Sequence, residues 1–331
     1  MLTIEFGPLD LASVRFGVSP LIELWQSVRA LQNPAAEALH PTWLGDARAR
    51  VRDLDLRMLY ALQPPQGSSP DFIHPPPEGP CGELEAELAH MLATPADQIR
   101  AEILSAHGHG GVPSAIERFV EAPEAAIVEL ADLVRCYWQR VLEPHWERIR
   151  TRLEGDVLWR AQQVAGGGLK ALFADLDHSI RYKDARLVID KSWRGSLDLH
   201  GRGLLLVPSV FVWPAVAIVE QAPWQPTLIY PARGCGLVWE PVEPAPEGLA
   251  ALLGARRATI LASLERPCST TDLACRLEVV PSSISQHLTV LHEAGLIERH
   301  RVGRVVLYRR TAAGNVLLGA GDGKVSGLEA A

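Results

Sequence analysis

The residues best placed to do chemistry in this 331-residue chain are small polar ones on a single predicted helix, residues 281–294. Ile284, Leu288 and Leu291 recur there at i, i+4 and i+7, which predicts one buried face. The opposite face and its flanks carry hydrogen-bonding side chains that are uncharged apart from Glu293 near the end of the helix: Ser282, Gln286 and Thr289, with Ser283 and Ser285 beside them. Such side chains approach base edges closely, and glutamine can hydrogen-bond adenine through two atoms. The pattern therefore predicts contact with DNA bases.

A run of arginines follows in a predicted β-hairpin, residues 297–310, with Val302 and Gly303 near its tip. Arg301 and Arg304 flank that tip, and Arg299 precedes it. Guanidinium groups on a protruding ribbon suit phosphate or minor-groove contact, because the potential of the duplex is most negative there. We expect these three arginines to bind DNA, with Arg256 or Arg257 as further phosphate contacts.

Two helices are predicted ahead of the polar helix, and they must position it. Apolar residues run at helical spacing from Leu252 to Leu264, and residues 269–277 predict a second short helix. Pro281 suits the first position of the third helix, where its missing N–H has no partner to lose. Two helices joined by a short turn, followed by a basic ribbon, predict a winged helix-turn-helix. Winged helices also mediate protein contacts, which is the alternative for this module.

The segment from Ser285 to Ile297 (SQHLTVLHEAGLI) resembles the ArsR-type family of bacterial transcriptional repressors. The hairpin with Gly303 and Tyr308 extends this resemblance to about 65 residues, a fifth of the chain. The resemblance implies a homodimer that binds double-stranded operator DNA near its own promoter and releases it when an effector binds.

Two positions depart from the family pattern. Arsenic-sensing members carry Cys-x-Cys before an Asp-Leu on the second helix, whereas Ser269 and Thr271 precede Asp272 here. We therefore expect no metal at that position, and we expect no cofactor. The family usually places serine at the cap of the third helix, where this chain has Val280, so Ser282 or Ser283 is the alternative cap.

The fold class predicted for the whole chain is α+β. The first domain is expected to be mostly helical with a β-rich portion, and the winged helix-turn-helix follows at the carboxy-terminal end. Apolar residues at helical spacing occupy residues 19–32, 42–62, 82–105 and 124–164, with Pro144 expected to kink or end the last helix. Short apolar runs between glycines and prolines predict strands at residues 186–190, 204–207, 216–219 and 227–230.

Composition places the domain boundaries. Residues 239–248 contain three prolines and no periodicity, which is typical of a linker. We therefore predict a first domain at 1–245, the DNA-binding domain at 246–318 and a tail at 319–331. A second proline-rich stretch, residues 63–82, is predicted as a surface loop. Residues 206–214 and 226–234 resemble the poorly characterised amino-terminal domain attached to some ArsR-like regulators, a resemblance that names no ligand.

Charge is divided unevenly between the predicted domains. The chain carries a formal net charge of −7, of which residues 1–245 hold −9 and residues 246–311 hold +3. A basic module beside an acidic body fits a nucleic-acid partner. Five scattered cysteines, no Cys-x-x-Cys pair and no secretory pattern at the amino-terminal end predict a cytoplasmic protein. No stretch has the roughly 18 to 20 apolar residues that span a membrane.

The first domain is predicted to dimerise and to sense a small-molecule effector. No hydrolase, metalloprotease or dinucleotide fingerprint occurs in the sequence, so no enzyme is expected and no catalytic residue is assigned. The alternative is that residues 1–245 are an enzyme or a protein-interaction domain with an appended regulatory module. His107 and His109 beside Gly110 and Gly111 favour a loop over a metal or phosphate site. Four tryptophans either pack in the core or line an apolar effector pocket: Trp193, Trp213, Trp224 and Trp239.

Overall fold

The computed structural model describes residues 1–107, 111–191, 193–239, 245–264, 268–277, 279, 281–302 and 305–321. The chain divides into two compact units, Met1–Gly236 and Leu237–Ala331. This division falls close to the predicted linker. Among the described residues, no helix is both long and apolar enough to cross a membrane.

The middle of the first unit is helical. Its α-helices are α1 (Pro8–Ala12), α2 (Pro20–Gln32), α3 (Pro41–Arg50), α4 (Arg57–Leu62), α5 (Leu84–Leu92), α6 (Ala96–His107), α7 (Arg118–Glu121), α8 (Pro123–Tyr137) and α9 (Trp146–Ala174). Proline stands at the first position of α2, α3 and α8, where it costs no hydrogen bond. As predicted, the helix is interrupted at Pro144: a π-helical segment, Trp138–Leu142, and a 3-10 turn, Glu143–His145, separate α8 from α9. Helix α9 extends beyond the predicted end, with Gly168 (φ +64°) breaking its last turns.

Two mixed four-stranded sheets complete the first unit. Their strands are β1 (Leu2–Glu5), β2 (Arg15–Phe16), β3 (Ile180–Lys183), β4 (Arg186–Ile189), β5 (Gly195–Asp198), β6 (Leu205–Ser209), β7 (Ala217–Val219) and β8 (Thr227–Pro231). The sheet orders are β3-β4-β1-β5 and β2-β6-β8-β7. The amino-terminal strand β1 lies inside its sheet, antiparallel to β4 and parallel to β5. The four predicted strands are present as β4, β6, β7 and β8, whereas β1, β2, β3 and β5 were not predicted. Strands β1 and β2 pair with segments that are distant in sequence.

The prediction that residues 63–82 form a surface loop is wrong for part of this stretch. Phe72 and Ile73 are completely buried, and His74 is 5% exposed. The carboxylate of Asp71 accepts hydrogen bonds from the backbone N–H groups of Glu220 (2.9 Å) and Gln221 (2.7 Å). Long-range bonds of this kind allow an irregular segment to be buried, and no sequence periodicity announces them.

The second unit is a small helical domain with a three-stranded sheet. Its elements are α10 (Glu247–Leu253), α11 (Ala255–Ser263), β9 (Cys268–Ser269), α12 (Thr270–Arg276), α13 (Pro281–Glu293), β10 (Ile297–Val302), β11 (Val305–Arg310) and α14 (Ala312–Gly321). The sheet order is β10-β11-β9, all antiparallel. The predicted α+β class, with the winged helix-turn-helix at the carboxy-terminal end, is confirmed.

Candidate nucleic-acid interface

The core of the second unit determines which side of α13 is exposed. Ile284, Leu288 and Leu291 are at most 1% exposed, and they share one apolar cluster with Leu261 of α11 and Leu273 of α12. The i, i+4, i+7 pattern therefore faces inward, as predicted. Burial of this stripe holds α13 in one rotation about its axis.

Hydrogen bonds at both ends of the helix pair fix its geometry. Arg276, the last residue of α12, donates from Nη1 to the carbonyl of Ser263 at the end of α11, 3.0 Å away. Helix α13 begins at Pro281, as predicted. At its other end, Gly295 (φ +71°) donates to the carbonyl of His292 and Leu296 donates to that of Leu291. This is a Schellman closure, which requires a left-handed residue where glycine is strain-free.

The outward side of α13 is polar. Ser285, Gln286 and Thr289 are exposed, whereas Ser283 is half-buried. Ser282 lies in the first turn of α13, and its side chain is outside the described residues. Ser285, Gln286 and Thr289 are uncharged, so they suit hydrogen bonds with base edges in the major groove. Helix α13 also exposes Val290 (43%) and, at its end, the carboxylate of Glu293.

The predicted hairpin forms the wing. Strands β10 and β11 pair in a register that places Ile297 opposite Arg310 and Arg299 opposite Tyr308. Arg299 is exposed, and no described residue forms an ion pair with it. Arg301 lies on β10 opposite Val306, with its side chain outside the described residues, and Arg304 lies outside them altogether. In the described part of the wing, Arg299 thus presents an exposed guanidinium group without an ion pair, whereas Arg310, opposite Ile297, is half-buried.

The wing contains an internal ion pair that the residue types did not predict. Glu298 and Arg309 are cross-strand partners, and their side chains form a salt bridge. The other oxygen of Glu298 lies 3.5 Å from Nε2 of His300. Arg309 is therefore partly neutralised and is a poorer phosphate ligand than Arg299. The hairpin register would have revealed this pair, since a two-residue turn at positions 303 and 304 places 298 opposite 309.

Two further arginines lie on α11. Arg256 is exposed and Arg257 is half-buried. Both remain predictions as phosphate contacts. His287, on the flank of α13, is half-buried, as is Cys268 on β9.

The other predicted features of the first unit do not assemble. His107 ends α6, and His109 and Gly110 lie outside the described residues, so the loop prediction there is untested. Trp193 is 41% exposed, and Trp213, Trp224 and Trp239 are half-buried. Trp224 packs against the edge of an apolar core cluster. Trp193 and Trp224 line different hollows. Among the described residues, no group of three His, Cys, Asp or Glu side chains is arranged to hold a metal ion.

Comparison with known proteins identifies two segments. Residues 255–299 match the arsR family of bacterial regulatory proteins. Residues 83–236 match a family of unknown function, DUF5937. The chain matches no curated protein and no solved structure. The first match covers α11 to the start of the wing, the elements that display the polar face of α13.

Proposed function

We propose that this chain, a DNA-binding regulator by virtue of its arsR-family helix-turn-helix domain, acts as a dimeric transcriptional repressor in the cytoplasm. In this proposal two copies of α13 occupy successive major grooves, with half-sites about 34 Å apart. The first unit senses a small molecule that lowers operator affinity. A ligand has that effect only if it favours one dimer geometry over another.

The observation that carries the proposal is the set of uncharged exposed side chains on α13 (Ser285, Gln286 and Thr289), together with the exposed guanidinium of Arg299 on the strand that follows. Base reading needs short hydrogen-bonding side chains on a helix that its own core holds rigidly. Backbone binding needs cations that are not already paired within the protein. The second unit has both, on adjacent elements. A winged helix used only for protein contacts needs neither.

Two exposed apolar side chains support self-association. Leu252 on α10 is 69% exposed and Val316 on α14 is 72% exposed. Helices α10 and α14 pack against each other and flank the winged core. Apolar residues exposed on neighbouring helices favour contact with a second copy. Part of the dimer interface is thus proposed here, with the rest in the first unit.

We also propose that the first unit is not an enzyme. A polar cavity there, with His74 and Asp71 in its wall, is the observation that favours the alternative. Burial lowers the pKa of His74 to about 3, and its ring donates to the backbone carbonyl of Pro70. A histidine so held is oriented by no carboxylate among the described residues, which argues against acid–base catalysis.

The test is a gel-shift titration of the full chain against DNA from upstream of its own gene. A random duplex of equal length is the matched control, and both are measured at two salt concentrations. The proposal predicts at least a thousandfold preference for the upstream DNA, the lower end of specific recognition. Equal affinity for both duplexes, or binding to neither, would overturn it.

A further inference from the structure

The first unit contains a small polar cavity that the DNA-binding proposal does not use. Its walls come from α2 (Gln26 and Arg29), the end of α4 (Gln63), the buried segment at His74, and Lys191 after β4. Its volume is about 190 Å³. Cavities of about 150 Å³ hold a benzene molecule, so this one suits a ligand of roughly six to ten heavy atoms.

Polar atoms face this cavity without partners. Gln26 is completely buried, and neither its amide nitrogen nor its amide oxygen has a hydrogen-bond partner. Gln63 is also completely buried; its side-chain oxygen accepts from Ser69, while its amide nitrogen is unpartnered. Unpaired buried amides destabilise a fold, and native proteins rarely retain several at one place. A ligand that pairs with them explains their presence.

His74 adds a hydrogen-bond acceptor. Because burial lowers its pKa to about 3, the ring is neutral at physiological pH. Its Nε2 atom is buried and unpartnered, so the bond to the carbonyl of Pro70 comes from Nδ1–H. This tautomer leaves a lone pair on Nε2. The cavity therefore offers donors from Gln26 and Gln63, and acceptors from Gln26 and His74.

Two cations lie in the same wall. Arg29 donates to the hydroxyl of Ser69 (2.9 Å), and Lys191 donates to the carbonyl of Val216 (2.6 Å). Burial lowers the pKa of Lys191, whereas the carboxylates of Asp177 and Glu220 act to raise it. Nε of Arg29 is buried and unpartnered.

Carboxyl groups are also present, but burial weakens their charge. It raises the pKa of Asp71 to about 7 and also raises the pKa values of Glu102 and Glu220. Burial lowers the pKa of Arg29 only to about 10, so this guanidinium stays charged at physiological pH and favours a ligand with an anionic group.

We propose that this cavity binds a small hydroxycarboxylic acid, with its carboxylate at Arg29 and Lys191 and its hydroxyl between Gln26 and His74. The carboxylate receives charge-assisted hydrogen bonds, which are the stronger kind. The hydroxyl both donates and accepts, which matches the free atoms of the two side chains. That this acid is the effector rests on the proposed function; that it binds does not.

The first test measures binding to the full chain without DNA. Thermal unfolding is followed with lactate and malate at up to 10 mM, with glycerol as a neutral hydroxyl control and acetate as a control lacking the hydroxyl. At a hundredfold excess over Kd, the unfolding midpoint should rise by about 5 °C or more, and the controls should leave it unchanged. No shift with either acid, or an equal shift with acetate, would overturn the proposal.

Gln26→Leu separates a binding role from a structural one. The substitution removes both unpartnered amide atoms, so the midpoint of the free protein should stay the same or rise. The shift produced by the acid should be lost. A lower midpoint in the free variant together with an unchanged acid-induced shift would assign Gln26 to structure alone and refute the site. Arg29→Gln, which keeps a donor but no charge, should reduce the affinity at least tenfold.

Measuring DNA binding in the presence and absence of the acid distinguishes the cavity proposal from the repressor proposal. If the protein binds the acid but not the upstream DNA, the proposed binding cavity is supported and the proposed repressor function is refuted. If both bind but the acid leaves DNA affinity within twofold, the cavity stands and its role as effector site is refuted. A tenfold or larger loss of DNA affinity with malate, absent in Gln26→Leu, supports both.

Discussion

Thr289 donates its hydroxyl hydrogen to the backbone carbonyl of Ser285, 3.0 Å away and one turn earlier on the exposed side of α13. The donor capacity of this hydroxyl is therefore used within the helix. What Thr289 presents outward is its methyl group and the lone pairs of its oxygen. In a major groove the methyl group suits contact with the methyl of thymine.

This bond leads to a prediction for Thr289→Val. Valine keeps the outward methyl group and loses only the internally bonded hydroxyl, so operator affinity should stay within about threefold of wild type. Thr289→Ala removes the methyl contact and should weaken binding by about 1 kcal/mol. Fluorescence anisotropy with a labelled operator measures both. If valine weakens binding as much as alanine does, the hydroxyl oxygen, and not the methyl group, contacts the DNA.

Gln286 is expected to read a base. Its exposed amide has a donor and an acceptor in one plane, and loss of such a bidentate contact costs about 1–3 kcal/mol. Gln286→Ala should therefore weaken binding to the preferred operator by that amount and binding to random duplex hardly at all. Competition titrations with the two duplexes measure the difference. Equal losses on both would remove Gln286 from base recognition.

Arg299 is expected to contact the DNA backbone. Each phosphate neutralised adds about 0.9 to the slope of log K against log salt, so Arg299→Ala should flatten the slope by nearly one unit. Arg309→Ala is the matched control, since the salt bridge to Glu298 already engages that guanidinium. The prediction fails if Arg309→Ala flattens the slope more than Arg299→Ala. Arg304→Ala is expected to act like Arg299→Ala, weakening all DNA similarly.

Val316 is expected to lie in the interface between two copies. A glutamate at this 72% exposed position disturbs no packing within one copy, so Val316→Glu should fold normally and shift the dimer towards monomer. Val316→Leu, which keeps an apolar side chain at the same exposed position, is the matched control and should remain a dimer. Sedimentation velocity across a range of concentrations measures the effect. An unchanged dimer in Val316→Glu would place the interface elsewhere.

Buried carboxyl groups give the first unit a pH dependence. Burial raises the pKa of Glu23 and of Glu87 from 4.5 to about 8, and that of Asp71 from 3.8 to about 7. Above their ordinary pKa values these groups bind protons in the folded state only. Their contribution to stability is therefore complete at low pH and is lost as pH rises through the raised pKa values.

Two buried histidines change the stability of the first unit with pH in the opposite direction. Burial lowers the pKa of His40 from 6.5 to about 4 and that of His74 to about 3. Their contribution is complete above pH 6.5 and is lost as pH falls towards the lowered pKa values. Between pH 4.5 and 6.5 the buried carboxyl groups lower the free energy of unfolding as pH rises, while the two histidines raise it. From pH 6.5 to 8 the carboxyl groups act alone, so we expect the free energy of unfolding to fall with rising pH.

Glu87→Gln tests this expectation. Oε2 of Glu87 accepts from the hydroxyl of Ser19 and the N–H of Leu21, bonds that a glutamine oxygen preserves. Removing the titration should flatten the pH dependence between 6.5 and 8 by about 1 kcal/mol per pH unit. Denaturant unfolding at several pH values measures the slope, with Glu124→Gln on the exposed side of α8 as control. An unaltered slope in Glu87→Gln would show that this carboxyl is already ionised in the folded state.

Much of the candidate DNA-binding surface could be predicted from local sequence. Ile284, Leu288 and Leu291 define the buried side of α13, which leaves Gln286 and Thr289 on the other. Periodicity suffices because a regular helix makes the direction of each side chain a function of its position alone. The internal use of the Thr289 hydroxyl and the pairing of Arg309 with Glu298 depend on atomic geometry and on strand register, so the residue types alone did not reveal them.

The sequence by itself determined the helical regions, though not where residues 42–62 and 82–105 each divide into two helices. It also determined half of the strands in the first unit and the polar face of α13 followed by a basic ribbon, because each is a pattern among near neighbours. Only the tertiary structure decided the cavity. Gln26, Gln63, His74 and Lys191 come from separate segments that long-range pairing brings together, and residues 63–82 carry no period that foretells burial. Local propensity acts along the chain, whereas a binding cavity is a property of which distant segments exclude water together.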